Sequence, residues 1–331
     1  MINKEMHLRE DVFEAKEKAP TRNGFGKGVV EAGRADSRVV VISADLAEST
    51  RADAFQKEFG DRFIDIGVAE QNMATVAAGM AGYGKIPFIT SYATFSPGRN
   101  WEQIRTTIAI NNVPVIICGS HAGLLTGPDG ATHQALEDIA MMRALPNMIV
   151  LSPCDSEEAR KVTLSAAKAG KPIYLRLARD KTPVMTTVDT PFEIGRALVF
   201  WKSKNPQVAI FATGPLAHNA LLAAREIEGN GVGAVVVNVH TIKPLDKETI
   251  VSLARETGAV VTVEEHQIAG GLGGAIAELL AQECPTPIEF VGVRDRFGQS
   301  GEPAELLEHY GMGVSHIVAA TKKVIARKTH H

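Results

Sequence analysis

The stretch FIDIGVAEQNMATVAAGMAGYGKIPFIT, residues 63–90, decides the fold class. Its ends, Phe63–Ile66 and Pro87–Thr90, are short apolar runs typical of buried strands. Between them, Glu70–Gly82 has the length and the small, apolar composition of a helix. A strand, a helix and a second strand in this order form the repeating unit of a parallel sheet covered by helices.

The same alternation continues on both sides of this unit. Further strands are predicted in the first half of the chain at Val39–Ile42, Val113–Cys118, Met148–Leu151 and Ile173–Leu177, with a helix at Trp101–Asn111. A second series follows at Val208–Thr213, Ala234–His240, Ala259–Glu264 and Ile288–Val293. We therefore expect an α/β protein with two doubly wound domains, the first with a mostly parallel sheet.

A change of composition separates the two series. The stretch DKTPVMTTVDTPFEIG, residues 180–195, contains two prolines and no helical period, which indicates a linker. We place the boundary near residue 190. The predicted organisation is an N-terminal arm at 1–20, a first domain at 21–189 and a second domain at 190–331.

Composition narrows the class of protein. The 331 residues are 45% hydrophobic and 22% charged, as in soluble globular proteins, and the net charge of -3 implies no bulk attraction to nucleic acid or to a membrane. No apolar run has the length of a membrane span, and the charged N-terminus has no signal-peptide core. Three widely spaced cysteines, Cys118, Cys154 and Cys284, are typical of reduced thiols in a cytoplasmic protein. His330 and His331 are consistent with a tag remnant.

The densest polar cluster in apolar surroundings is SHAGLLTGPDGATHQALEDIA, residues 120–140. It follows a predicted strand, and in open α/β sheets ligands bind at the carboxyl ends of the strands. Its side chains His121, Asp129 and His133 could bind sugar hydroxyls and transfer protons near neutral pH. A surface loop with incidental histidines is the structural alternative, which the position of the loop disfavours.

Three other segments have both a functional and a structural interpretation. Glu70 lies in the first turn of a helix, where the helix dipole alone stabilises an acid. Tyr92 and Phe95 follow a strand and could stack on a flat ring or belong to the core. Arg176 and Arg179 at another strand end suit a phosphate group or a solvated surface.

A glycine-rich segment, VEEHQIAGGLGGAIAELLAQE at 263–283, follows a strand and opens a helix. It resembles a phosphate-binding loop, but its glycine spacing does not match the dinucleotide motif GxGxxG. A dinucleotide site is therefore weakly supported.

Taken in order, these segments resemble the transketolase family over nearly the whole chain. SADLAEST at 43–50, GVAEQN at 67–72 and SHAGLLTGPDGATHQ at 120–134 resemble segments of its pyrimidine-binding domain. EEHQIAGGLG at 264–273 and DRFGQSGEPAELLEHYGM at 295–312 resemble its C-terminal domain. The GDG motif of the family's N-terminal domain is absent from the sequence, which resembles the separate C-terminal subunit of a split transketolase.

The resemblance implies a thiamine-diphosphate enzyme of carbohydrate metabolism, in the pentose phosphate pathway, that moves a two-carbon ketol unit from a ketose phosphate to an aldose phosphate. It implies an N-terminal partner subunit that carries GDG and holds most of the Mg²⁺ or Ca²⁺ site. Two copies of each subunit would form an α2β2 complex, and this chain alone would form a homodimer. No metal ligand is expected in this chain.

Matching positions imply residue roles. Glu70 would hydrogen-bond to the cofactor pyrimidine, on which Tyr92 or Phe95 would stack. His121 and His133 would assist proton transfers at the sugar, and Asp129 would bind a sugar hydroxyl. Arg22, Ser49 and Arg179 would hold the sugar phosphate.

Three alternatives remain open at this point. Two are related thiamine-diphosphate enzymes, a 1-deoxyxylulose-5-phosphate synthase and the beta chain of a 2-oxoacid dehydrogenase. The third is a non-catalytic regulatory subunit with the same fold. The two histidines at 121 and 133 and the pair Arg22 and Arg179 favour a phosphosugar transketolase.

Overall fold

The computed structural model describes residues 1–330, and His331 lies outside the described residues. Fourteen strands alternate with the helices along this part of the chain. The strands are β1 (Lys18–Ala19), β2 (Val39–Ser43), β3 (Phe63–Asp65), β4 (Ile86–Tyr92), β5 (Ile116–Ser120), β6 (Ile149–Leu151), β7 (Ile173–Arg176), β8 (Thr182–Pro183), β9 (Leu198–Lys202), β10 (Pro206–Ala212), β11 (Gly233–Asn238), β12 (Thr241–Lys243), β13 (Val260–Gln267) and β14 (Ile288–Val293).

Twelve α-helices cover the sheets within residues 1–330. They are α1 (Thr21–Ala35), α2 (Ala47–Thr50), α3 (Asp53–Glu58), α4 (Glu70–Gly82), α5 (Trp101–Gln103), α6 (Asp138–Arg143), α7 (Ser156–Ala166), α8 (Ala217–Gly229), α9 (Lys247–Thr257), α10 (Leu272–Glu283), α11 (Pro303–His309) and α12 (Val314–Ala326). Short 3₁₀ turns lie at Lys4–Met6, Gly60–Arg62, Leu124–Asp129, Gly214–Leu216 and Arg327–His330.

The first sheet has seven strands in the order β12-β6-β7-β5-β4-β2-β3. All neighbours are parallel except β12, which runs antiparallel to β6. The strands read as continuous apolar runs because both faces are buried, as in Val39–Ser43. The carboxyl ends of the parallel strands meet along one edge, where the loop after β5 begins.

The second sheet has five strands in the order β14-β13-β10-β11-β9 and is parallel except for β9. With its helices α8–α12 it forms the second domain, while the seven-stranded sheet with α1–α7 forms the first. The predicted α/β class and the mostly parallel first sheet are confirmed. The exact boundary near residue 190 stays a prediction.

The structure also differs from the sequence pattern. The predicted helix Trp101–Asn111 is one turn of α-helix that continues as a π-helix at Ile104–Ala109. The predicted linker is partly ordered structure, because β8 pairs with β1 and Met185 is fully buried. Strand β12 lies in the second half of the chain but joins the sheet of the first domain, a placement that a local pattern cannot reveal.

Helix α1 reaches the functional edge of the first sheet through a close packing contact. A side chain at Gly24 would place its Cβ 1.8 Å from the carbonyl oxygen of Ser156 on α7, so only glycine fits there. At the start of α1, the Thr21 hydroxyl accepts a hydrogen bond from Ala178 N–H at 2.7 Å. These contacts fix Arg22 beside the end of β7.

Within residues 1–330, no helix combines the length and hydropathy needed to cross a bilayer. Cys118, Cys154 and Cys284 are free thiols, and the first two are buried. The compartment stays a prediction.

Candidate active site

His121 is the first residue after β5 and has a left-handed backbone, with φ of 54°. Its Nε2 lies 3.1 Å from Nη1 of Arg22, and its Nδ1 lies 3.0 Å from the Ser120 hydroxyl. Because a guanidinium can only donate, Nε2 is the acceptor and Nδ1 carries the hydrogen. Burial, aided by the charges of Arg22 and Arg179, lowers the pKa of His121 to about 3. The ring is therefore neutral at physiological pH.

Three arginines surround the His121 imidazole, and none of the three has a carboxylate partner in the described part of the chain. Arg22 donates to the main-chain oxygen of Ser49 at 2.7 Å, and its buried Nε has no hydrogen-bond partner there. Arg51 donates to the Asn23 amide at 2.9 Å, and Arg179 donates to the carbonyl oxygen of Thr126 at 3.1 Å. Burial and the other two arginines lower the pKa of Arg22. Such a group of guanidiniums favours an anion.

Aromatic rings extend from His121 along the same edge. Tyr92, the last residue of β4, stacks on His121 with ring centroids 3.8 Å apart. Phe95 is nearly parallel to Tyr92 at 6.0 Å and meets His133 edge-on at 5.5 Å. His133 is half-buried, and its Nδ1 lies 2.9 Å from the Thr132 hydroxyl. Both histidines of the loop thus contact Tyr92, because His133 also meets that ring edge-on at 6.0 Å.

Glu70 begins α4 and is only 1% exposed, yet its carboxylate does not cap that helix. Arg99 donates to its Oε2 at 2.7 Å, and Asn100 donates to its main-chain oxygen at 3.0 Å. The Arg99 guanidinium also lies 4.7 Å from the centre of the Phe95 ring. Glu70 is therefore joined to the aromatic rings through one arginine.

The predicted site residues lie at one edge of the first sheet, but some contact one another directly, some through another residue, and one not at all. Direct contacts join Arg22, Ser49, Tyr92, Phe95, His121 and His133. Glu70 joins this group through Arg99, and Arg179 joins it through the loop carbonyl of Thr126. Asp129 is exposed and contacts none of them directly, although its charge acts on Arg22.

Sequence reasoning did not assign Arg51 or Arg99 to the site, although each stands within four residues of a predicted member. Arg176 is the opposite case. This side chain, considered beside Arg179 for phosphate, is 5% exposed and donates to Asp138 at 2.8 Å. It also donates to the main-chain oxygen of Glu265 at 2.8 Å, so it faces the second domain and cannot reach the site.

The glycine-rich segment at 270–274 holds no open phosphate site. Glu264, on β13, accepts hydrogen bonds from Leu272 N–H at 2.7 Å and from Gly273 N–H at 2.8 Å. A Cβ at Gly271 would lie 1.9 Å from Glu264 Oε2, so glycine is required by this carboxylate. The amides that would bind an anion are occupied by the protein itself.

Comparison with family models assigns both halves of the chain. The transketolase pyrimidine-binding domain matches residues 17–185, and the transketolase C-terminal domain matches residues 199–317.

Several relatives have the same extent as this chain. It is 42% identical over 88% of its length to a Methanocaldococcus jannaschii protein named "Putative transketolase C-terminal section", of which 92% is covered. It is 39% identical over 91% of its length to the 6-deoxy-6-sulfo-D-fructose transketolase subunit SqwH of Clostridium sp. strain MSTE9, again covering 92%. By contrast, 95% of the chain spans only 50% of rat transketolase, at 35% identity.

Among solved structures, a split-gene transketolase described as an inactive beta4 tetramer superposes with a TM-score of 0.87 at 44% identity. The match covers 93% of this chain and 99% of that one. Transketolase from Campylobacter jejuni shares the fold, with a TM-score of 0.80 at 22% identity over 96% of this chain and 49% of that one.

Proposed function

The chain belongs to the transketolase family, and we propose that it is the C-terminal subunit of a thiamine-diphosphate-dependent transketolase whose N-terminal half is a separate polypeptide. The observation that carries the proposal is the continuous contact from Glu70 through Arg99 and the aromatic rings to His121 and Arg22. One end of this group suits a pyrimidine and the other suits an anionic sugar.

The residues fit the pyrimidine half of thiamine diphosphate. Glu70 is a buried acid whose one hydrogen-bonded cation, Arg99, is 46% exposed, and Tyr92 and Phe95 are half-buried rings beside it. For the diphosphate, the described residues contain no group of His, Cys, Asp or Glu arranged to hold a metal ion, and the glycine-rich helix start is closed by Glu264. We infer that the partner subunit holds the diphosphate and its Mg²⁺ or Ca²⁺.

Thiamine diphosphate, when bound, supplies a thiazolium carbon that makes and breaks carbon–carbon bonds. Glu70 would hold a proton between Oε1 and the facing pyrimidine nitrogen, while Arg99 keeps Oε2 in place. Tyr92 or Phe95 would stack on the pyrimidine and exclude water from it. Glu70 is only 1% exposed, and its ion pair with Arg99 orients the carboxyl for such a directed hydrogen bond.

The loop after β5 would bind the sugar. His133 can transfer a proton to or from the sugar oxygens. His121 is neutral, and its ring is held in one orientation with the hydrogen on Nδ1. Asp129 is free to bind a hydroxyl because it has no ion-pair partner in the described residues.

Arg22, Ser49 and Arg179 would hold the charged end of the sugar, with Arg51 beside them. A phosphate is the first candidate for that end. A sulfonate is the second, because a relative of 39% identity and equal extent is named a subunit of a sulfofructose transketolase. Guanidiniums can donate hydrogen bonds to the oxygens of either group, so the substrate must be chosen by assay.

The partner we propose is an N-terminal transketolase subunit that carries the GDG motif, in an α2β2 complex. Two relatives are themselves separate C-terminal sections or subunits by name, and the solved split-gene neighbour is described as inactive when it contains beta chains alone. That neighbour is a tetramer, whereas we predict a homodimer for this chain alone, so light scattering decides between two and four copies.

The test is a ketol-transfer assay of this chain mixed with the GDG-containing partner, thiamine diphosphate and Mg²⁺. We expect turnover with xylulose 5-phosphate and ribose 5-phosphate, and a parallel assay with 6-deoxy-6-sulfofructose measures the sulfonate alternative. Condensation of pyruvate with glyceraldehyde 3-phosphate would instead indicate a deoxyxylulose-phosphate synthase, and oxidative decarboxylation would indicate a 2-oxoacid dehydrogenase. No turnover with any substrate would support a regulatory subunit.

A further inference from the structure

The loop that carries His121 and His133 is tied to the second domain as well as to β5. Glu265, on β13, is 2% exposed, and its Oε1 accepts a hydrogen bond from Leu125 N–H at 2.6 Å. Leu125 belongs to the turn Leu124–Asp129, which lies between the two histidines. A buried amide N–H without such an acceptor is costly, so this hydrogen bond fixes the position of the turn.

The sequence of the loop is adapted to this carboxylate. Gly123 has φ of 80°, and a Cβ added there would lie 2.3 Å from Glu265 Oε1. A side chain at position 123 would both strain the backbone and displace Glu265. The glycine is therefore needed because the second domain approaches the loop at this point.

The other end of the loop has a second tie of the same kind. Gln134 donates from Nε2 to the main-chain oxygen of Gln299 at 2.9 Å, and to that of Gly127 at 3.1 Å. Gln299 lies in the segment before α11, so two separate segments of the second domain hold residues 123–134. Both contacts with the second domain are long-range in sequence, and His133 lies between Leu125 and Gln134 in the chain.

Within the described residues, the Glu265 side chain makes no hydrogen bond outside this turn. Its Oε2 has no hydrogen-bond partner there, and Arg176 bonds to the main chain of Glu265 rather than to its carboxylate. Its neighbour Glu264 has equal burial but bonds only to amides of α10, within the second domain. The two adjacent glutamates thus stabilise different parts of the molecule: Glu265 holds the loop of the first domain, and Glu264 holds the start of α10.

We propose that Glu265 is a positioning residue through which the second domain sets the geometry of the sugar-binding loop. It acts through the Leu125 amide and does not touch the substrate. The consequence for kinetics rests on the proposed transketolase function, whereas the effect on the loop does not. Glu264→Gln provides a matched control on the same strand.

Amide hydrogen exchange of the full chain, without a partner, tests the structural part. In Glu265→Ala the Leu125 amide loses its acceptor and should exchange about tenfold or more faster, since a buried N–H is left without a partner. Glu265→Gln retains a neutral acceptor and should give an intermediate rate, so the series remains informative if the alanine variant does not fold. Glu264→Gln should change exchange at Leu272 and Gly273 and leave Leu125 as in the wild type.

Kinetics of the reconstituted complex test the functional part. Glu265→Ala should lower kcat/KM for the donor sugar by about tenfold or more, while the affinity for thiamine diphosphate changes less than about twofold, because Glu70 and Tyr92 lie outside the loop. Glu265→Gln should restore most of the loss. A wild-type complex without ketol transfer would refute the proposed function but leave the exchange result to decide on the loop. Leu125 exchange equal to that of the wild type in every Glu265 variant that folds, or equal acceleration of Leu125 in Glu264→Gln, would overturn the positioning role.

Discussion

Glu70 and Glu264 are two buried glutamates beside the first turn of a helix, at the edge of a parallel sheet, and their carboxylates have different partners. Glu264 accepts hydrogen bonds from two amides of α10 and so completes that helix. Glu70 begins α4 but is bonded to Arg99, a half-exposed side chain from another segment. The fold itself satisfies the carboxylate of Glu264, whereas the carboxylate of Glu70 faces Arg99, a side chain that a ligand can approach.

The difference shows how to separate a functional acid from a structural one. Burial does not separate them, since both side chains are almost fully inaccessible. The local pattern does not separate them either, because the glycine-rich segment beside Glu264 looks more like a ligand site than the helix that Glu70 begins. The partner of the carboxylate decides, and that partner is visible only in three dimensions.

The largest expected effect is on Glu70. Glu70→Gln keeps the size of the side chain and removes its ionisable proton, so the reconstituted complex should lose about 10²- to 10⁴-fold in kcat, the range of general acid–base contributions. The melting temperature should change little. Near-normal turnover with a lowered melting temperature would make Glu70 a structural acid like Glu264 and remove the contrast.

Glu264→Ala should have the converse effect, a loss of stability with little change in turnover. It leaves two buried N–H groups without acceptors, which costs about 2–4 kcal/mol in the free energy of unfolding. Turnover per folded complex should stay within about twofold of the wild type. Chemical denaturation and an activity assay on the same preparation measure both, and a large loss of turnover would place Glu264 in the site.

The pH dependence sharpens the same contrast. Burial raises the pKa of Glu264 to about 7, above its value in the unfolded chain, against the opposing effect of the two amides. The folded state therefore favours the proton: this contribution to stability is fully present below pH 4.5 and is lost as the pH rises through 7.

Glu264→Gln removes this titration. The fall in unfolding free energy between pH 4 and pH 9 should be smaller in the variant, by about 1.4 kcal/mol for each unit by which the pKa is raised. Glu158 and Glu265, whose pKa values burial also raises to about 7, remain as background in both proteins. Identical pH profiles of wild type and variant would show that the Glu264 proton does not contribute.

A smaller effect separates the two ends of the sugar site. Arg179→Ala removes a charged hydrogen bond to the anionic end and should raise KM about tenfold to a hundredfold for phosphorylated sugars, with little change in kcat. His133→Ala should mainly lower kcat, because its contact strengthens as charge develops at the reacting oxygen. Acceptors without a phosphate are the control, since Arg179→Ala should hardly affect them. Equal losses on both kinds of sugar would contradict this division.

Much of this architecture could be predicted from local sequence. Apolar runs located the parallel strands of both sheets to within a few residues, but not the antiparallel strands β9 and β12. The helix at Glu70–Gly82 agrees with α4 at both ends. The ends of those strands then indicated His121, Tyr92 and Arg179, because parallel strands present their carboxyl ends at one edge. The partner and the sugar stay predictions.

What could not be predicted depends on contacts between distant segments. Arg176 and Arg179 belong to one short motif, but Arg176 is drawn to Asp138 and the second domain, a pairing that no spacing reveals. The placement of β12 beside β6 and the bond from Leu125 to Glu265 are equally non-local. Asp129 was expected in the site both from the polar loop and by resemblance, and the structure has it on the exposed surface of the loop.

The central claim is that this chain supplies one half of a shared active site. The most direct measurement is the initial rate of ketol transfer as the GDG-containing partner is titrated into a fixed concentration of this chain, with thiamine diphosphate and Mg²⁺ in excess. We predict no turnover without the partner, a linear rise, and a plateau at one partner per chain, as expected for an α2β2 complex. Turnover by this chain alone, or none at any partner concentration, would contradict the account.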